Sequence, residues 1–502
     1  MARQDMIARN QKKVIVTDDV SNMLYAAPGN MTRALFERYL ERLASADADM
    51  IAVDMAIPDL CYYRTEVGDW WGQFADDCPQ SFWNVFHNVR NLIEGGDDPG
   101  EIMVAGLRRR GRSVIANFRT NDCYAHPALR TRWEKAHAHC LVKLPMIPTQ
   151  EPVLPFFDYA FEEVRGHRLA IATEILDRYD VDGLQLDFIR GLPVLSSPAQ
   201  ADRLTDFVRQ VRSAVNRAAK AKGRTLTLGA ILPWDMRTLD DHGIDHVRWI
   251  GDALLDYVIA SERSYADCNL RIRPWTKMVE ATDCAVYGSI FGDLADGTVL
   301  SGTDRLPDRA FVTMPQICAC ATNLYHQGAD GVAFYNFYQE LHEDKFPLLG
   351  RLRDPEALRT EPRQYISCRV PRYAGKQWLR LEIGPHPDPN ERKTFRFYLG
   401  EEIVNRSATL AFKAIGMTLD DELIVDLNGA ELPAGSWALP DPIEPMRTLT
   451  GVTMHVGDLM YGRATAATPP LRVGDNEIGF RRIRTSALQQ AIMVAEIEIL
   501  VS

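Results

Sequence analysis

Eight short apolar runs, most of them ending on polar or charged residues, alternate with helical patterns between residues 12 and 336. The runs are Lys12–Asp19, Met50–Asp54, Ser113–Arg119, Leu184–Leu186 leading into Asp187, Thr225–Leu232, Tyr257–Glu262, Cys284–Phe291 and Gly331–Asn336. Apolar residues at helical spacing fill many of the intervals, notably at about Thr32–Ser45, Pro99–Arg110, Phe161–Arg178, Ala199–Lys222 and Pro307–Gln327. Gly111 and Gly223 stand behind two of these helices as stop signals. Strand–helix alternation repeated eight times predicts an α/β architecture, a (β/α)8 TIM barrel. An open, nucleotide-binding sheet would need a phosphate loop, and neither GxGxxG nor GxxxxGK[ST] occurs.

Beyond about Arg359 the helical period gives way to short alternating runs, such as Trp378–Ile383, Thr394–Leu399, Glu422–Leu427 and Ile492–Leu500. Turn residues separate them, and Asn428-Gly429 is a hairpin signal. This predicts a barrel domain over 1–355 and a C-terminal all-β sandwich over 356–502. A length of 502 residues suits that division.

A net charge of -11 argues against nucleic acid or an anionic membrane as partner. No apolar run approaches the roughly 18 residues of a membrane span. The amino-terminal stretch has no secretory apolar region, so a cytoplasmic location is expected. The nine cysteines are scattered, and Cys318 and Cys320 sit in a helical pattern, so free thiols are expected. His137 and His139 lie two apart and a helical His-x-x-x-His pair is absent, so neither a zinc site nor a cofactor is expected. A homo-oligomer is compatible with the chain, and nothing in the sequence sets its order.

A barrel concentrates chemistry at the carboxyl ends of its strands. Those positions hold Asp18, Asp19, Asp54, Arg119, Asn121, Asp122, His126, Asp187, Arg190, Asp235, Glu262, Tyr335 and Asn336. An aromatic, acidic segment, Cys61–Ser81, follows the second strand, though its Trp70 and Trp71, like Trp83 after it, read more readily as loop anchors than as sugar platforms. Carboxylates beside aromatics suit a carbohydrate substrate, because sugar rings stack apolar faces on aromatics and offer hydroxyls to acids. Glycosidic cleavage needs two carboxyl groups. Asp187 and Glu262 are the expected catalytic pair, and the other strand-end residues are expected substrate contacts. Each has a plainer role: Asp187 could pair with Arg190, Glu262 with Arg263, and Asp235 could cap the helix that Met236-Arg-Thr-Leu239 begins. Two other functions fit the same list. One is a metal-dependent lyase, isomerase or hydrolase with a divalent ion at Asp18, Asp187 or Asp235; the other is a sugar-binding barrel without turnover.

The stretch Asp182-Gly-Leu-Gln-Leu-Asp187, followed by Phe-Ile-Arg190, resembles the fourth-strand signature of TIM-barrel glycoside hydrolases. The chitinase version, Asp-Gly-x-Asp-x-Asp-x-Glu, is not matched: Gln185 replaces the middle acid and Ile189 the proton donor. The resemblance is nearer to the uncharacterised glycosyl-hydrolase-like bacterial barrels and, distantly, to the α-galactosidase and α-glucosidase clans. In those clans the acid ending the fourth strand is the nucleophile and the acid/base ends the sixth. That layout implies Asp187 and Glu262 in the two roles, with Glu262 standing where those clans usually carry Asp.

Overall fold

A computed structural model describes residues 12–502 except 28, 75–77, 79, 123–128, 144–155, 263–265, 293–310, 336, 338–341, 369–380, 387–390, 404–407, 416, 419, 433–436, 439–445, 448–452, 455–458, 465–470 and 502. Eight parallel strands form the barrel: β1 Val14–Asp18, β2 Met50–Ile57, β3 Ser113–Arg119, β4 Gly183–Asp187, β5 Thr227–Pro233, β6 Tyr257–Ser261, β7 Ala285–Phe291 and β8 Gly331–Tyr335. Each pairs with the next, and β1 pairs with both β2 and β8, which closes the ring. All but the first residue of β3 are buried along these strands. That is why they read as nearly continuous apolar runs, since a parallel sheet under helices hides both faces.

The helices start and stop where their ends can be satisfied. Thr32 caps Arg33–Ala44 by accepting from Leu35 N at 3.3 Å, and Asp98 caps Pro99–Arg109 through Gly100 N at 2.9 Å. Helix Ala201–Lys222 ends on Gly223 at φ 66°, the left-handed stop that glycine adopts without a Cβ clash. Its buried stripe is Leu204, Phe207, Val208, Val211, Val215 and Ala218. The helix before β4 runs Glu162–Arg178, and the one before β8 runs Met314–His326, beginning later than the sequence suggests. A two-residue strand, Leu60–Cys61, turns back on β2 inside the aromatic segment and pairs with Asp69–Trp70. Trp70 and Trp71 are buried there as anchors, whereas Trp83 is 45% exposed and stacks on His87.

The carboxyl-terminal part has two larger antiparallel sheets and a two-stranded ribbon, Met446–Arg447 with Thr453–Met454. One has Ile492–Val501 between Arg363–Cys368 and Ala408–Ile415, with Leu459–Ala464 beyond. The other has Gly474–Arg484 between Lys393–Leu399 and Glu422–Leu427. Phe412 and Phe480 meet across them with ring centroids 5.1 Å apart. The Asn428-Gly429 hairpin is present, with φ of 54° and 85°.

The barrel packs on these sheets through polar backbone contacts. The Asn323 amide donates to Cys268 O at 2.6 Å and Tyr398 O at 2.9 Å, and accepts from Gly400 N at 2.7 Å. Cys268 N also donates to Ile366 O at 3.1 Å. Cys61, Cys78, Cys140, Cys268, Cys284, Cys318 and Cys320 are unbridged. No described helix is long and apolar enough to cross a membrane.

Candidate active site

The barrel interior is polar in its upper half. Gln185 donates to Asn117 Oδ1 at 2.8 Å and Thr17 Oγ1 at 3.2 Å, and accepts from the Tyr257 hydroxyl at 3.0 Å. Four strands are thereby joined across the lumen by fully hydrogen-bonded groups, the arrangement a buried polar layer requires. Gly229 leaves the space that the Tyr257 ring occupies, since a Cβ there would lie 2.0 Å from it.

Above this layer sits Arg119, which is 1% exposed. Its guanidinium lies 2.7 Å from Asp54, 2.8 Å from Asp122 and 3.5 Å from Asp19. Arg190 reaches Asp122 from the next loop at 3.9 Å. Asp187 ends β4 with no exposed surface; one oxygen accepts from the Tyr335 hydroxyl at 2.6 Å and the other from Ile189 N at 2.8 Å. Burial raises the Asp187 carboxyl above its usual range, while Arg119, Tyr335, Arg190 and the Ile189 amide pull it down.

Burial also raises Asp54, to about 7, against Arg119 and a short hydrogen bond from Asn117. The folded state therefore holds this proton more tightly than the unfolded chain does. Its contribution to stability is complete below about pH 4 and is lost as pH rises through about 7. Asp54→Asn is thus expected to gain in stability relative to wild type as pH goes from about 4 to 7. Urea midpoints across that range would measure it, and parallel curves would exclude Asp54 as the source.

Glu262 follows β6 and accepts from the Trp234 indole at 2.9 Å. Trp234 is itself held by Ser261 O through its amide at 3.0 Å and by the Trp275 indole, which donates to Trp234 O at 2.9 Å. Asp187 pairs with Ile231, and Ile231 with Ile259, so the partners of the last residue of β4 fall short of the ends of β5 and β6. Strand tilt produces this offset. It brings Glu262, three residues beyond Ile259, to the same rim as Asp187. Glu262 keeps 9% exposure there, and it crowds Asp267, whose carboxyl burial raises to about 7.

The remaining strand-end residues separate into two groups. Asp18 and Asp19 stay at the rim. Asp18 accepts from Val20 N at 2.8 Å and Asp19 from the Asn22 side chain at 2.5 Å. Between them and the following helix, Val20 takes φ 58°, a strained choice for a β-branched residue that the Asp18 contact helps to hold. Asn121 and Asp235 take structural partners. Asn121 gives its amide to Phe157 O at 2.9 Å and accepts from Phe157 N at 3.2 Å, which spends it on pinning a loop. Gly191 lies so close to Asn121 that a Cβ would sit 2.1 Å from its carbonyl oxygen. Asp235 caps Met236–Asp241 through Arg237 N and the Thr238 hydroxyl. His126 and Asn336 lie outside the described residues. Thr17, Asn117, Ser261 and Ser289 belong to the lumen without having been singled out in the sequence, the last two joined Oγ to Oγ at 2.7 Å. Their signal was a polar residue at an inward position inside an apolar run.

No protein-family model matches the chain, and no curated protein matches it. Among solved structures, it is similar to the glycoside hydrolase domain of PgaB (BpsB) from Bordetella bronchiseptica, at 12% identity and TM-score 0.42, over 68% of this chain and 98% of that one. It is similar to the GH36 α-galactosidase AgaA from Geobacillus stearothermophilus, at 12% identity and TM-score 0.39, over 95% of this chain. A cycloisomaltooligosaccharide glucanotransferase from Paenibacillus sp. aligns at 11% identity and TM-score 0.37, over 98% of this chain. The chain spans 58% of the length of the glucanotransferase and 56% of the galactosidase.

Proposed function

We propose that the chain is a glycoside hydrolase, with Asp187 as the carboxylate at the anomeric carbon and Glu262 as the general acid/base. The observation that carries the reading is Asp187: a buried carboxylate at the end of β4, held at both oxygens and flanked by Arg119, its register partner on β3. A group fixed in this way loses no orientation entropy on meeting a substrate. Positive charge developing at the anomeric carbon would be stabilised by its ionised form. Glu262 supports the second role because it directly follows β6 at the rim, where the Trp234 indole orients its carboxylate. The acid-rich rim of Asp18, Asp19 and Asp122 offers acceptors for sugar hydroxyls.

The divalent-metal reading has less support. Among the described residues, the grouping of close metal-ligating side chains includes none of Asp18, Asp187 and Asp235. Asp235 is occupied by its helix.

The test is turnover of a panel of aryl and natural glycosides by wild type and Asp187→Asn, with the product anomer read by proton NMR. Hydrolysis by the variant at the wild-type rate would sink the proposal. Glu262→Gln is expected to slow glycosides with poor leaving groups by about 10²–10⁴-fold. Glycosides whose leaving group departs without a proton should lose far less in the bond-breaking step. An equal loss on both kinds would remove Glu262 as the acid.

A further inference from the structure

Three side chains of metal-ligating chemistry converge beside the start of the helix that leads into β4. His139, Cys140 and Glu163 each bring one ligand atom within 4.8 Å of the others. His139 Nε2 lies 4.0 Å from a Glu163 carboxylate oxygen, and these two side chains are 60% and 53% exposed. Cys140 is the opposite, a free thiol at 0% exposure. The first two ligands come from the single turn Ala138–Cys140 and the third from the first turn of Glu162–Arg178. The backbone already holds these two segments in place. Asp158 N donates to Cys140 O at 2.9 Å, Val142 N to Phe156 O at 2.7 Å, and Phe161 N to Asp158 O at 3.1 Å.

His137 adjoins the group, its ring centroid 5.9 Å from that of His139. Its Nδ1 lies 2.8 Å from Trp133 O, which makes Nδ1 the donor and leaves a lone pair on Nε2. The donor set is therefore sulfur, nitrogen and oxygen together. Hard ions such as Mg²⁺ or Ca²⁺ prefer all-oxygen sites, whereas a thiolate with imidazole selects a borderline-soft ion.

We propose that His139, Cys140 and Glu163 bind one Zn²⁺ ion, with water in the fourth position. Tetrahedral zinc, with bonds of about 2.0–2.3 Å, sets its ligand atoms roughly 3.3–3.8 Å apart. The two exposed side chains close that small gap by rotation, while the buried thiol stays fixed. The ion would clip the Ala138–Cys140 turn to the helix that delivers β4. The sequence hides such a site because its ligands come from two segments 23 residues apart, and no helical His pair marks it.

The full chain, stripped with chelator and dialysed, would be titrated with ZnCl₂ by calorimetry and with CoCl₂ by absorption. One zinc per chain is expected, and cobalt should produce a thiolate-to-metal charge-transfer band. His139→Ala and Glu163→Gln alter exposed side chains and should keep the circular dichroism of wild type. Each is expected to weaken zinc binding at least about tenfold. Cys140→Ser is expected to lose the cobalt band. Absence of one-to-one binding to wild type, or affinity unchanged in both exposed-site variants, would overturn the proposal.

Discussion

Replacing Asp187 with asparagine is expected to reduce kcat/KM by on the order of 10³-fold or more while leaving the chain folded. Asparagine matches the shape of aspartate and can still accept from the Tyr335 hydroxyl or the Ile189 amide. What it removes is the negative charge. Circular dichroism and the urea midpoint would establish that the fold persists, and turnover on the responding glycoside would give the loss. The wild-type pH profile should carry the same signature. Burial raises the Asp187 carboxyl above the usual range, and the ionised form is the reactive one. Activity should therefore fall as pH drops through that raised value, at a higher pH than an exposed aspartate would give. An acid limb at the ordinary carboxylate position would count against Asp187 as the group that must be ionised.

The second large effect is on stability. Arg119→Met is expected to destabilise the protein by about 3–5 kcal/mol. The arginine faces Asp54, Asp122 and Asp19 from a position with 1% exposure. Methionine fills much of the same volume and leaves the acids without their counter-charge. Asp54, with no exposed surface, must then take a proton or remain buried and charged. The double variant Arg119→Met with Asp54→Asn should recover part of the loss, because it removes one of the stranded charges. Urea unfolding of the two single variants and the double variant closes the cycle. Strict additivity would mean that the Arg119–Asp54 contact contributes nothing of its own.

The barrel was legible because burial on both faces of a parallel sheet writes each strand as an apolar run, and helices restore a longer period between runs. Asp187 was legible for the same reason: it closes the fourth run. The partners of these residues were not legible. Arg119 reads as one cation at a strand end, and nothing local to it reports three carboxylates arriving from just past β1, from β2 and from the loop after β3. Gln185 reads as a lost acid, yet it is the hinge of the lumen layer. Asn121 shows the converse. It stands in a dense polar stretch, but a side-chain amide matches a backbone amide group, and Phe157 supplied one. Asp235 was readable as a cap because the helix-forming residues follow it directly. The strand Leu60–Cys61 was too short to show any period.

The contacts of Asn323 bear on how such a chain can be inherited. Its single side chain saturates two carbonyls and one amide, two of the three from the sheet domain and the other from a barrel loop. A recombination event that exchanged the appendage for another would leave that amide buried beside strangers, at a cost of about 1–3 kcal/mol for each group left unmatched. Barrel and sandwich are thus joined by a lock whose key is cut in both halves, and lineages that carry one half should carry the other.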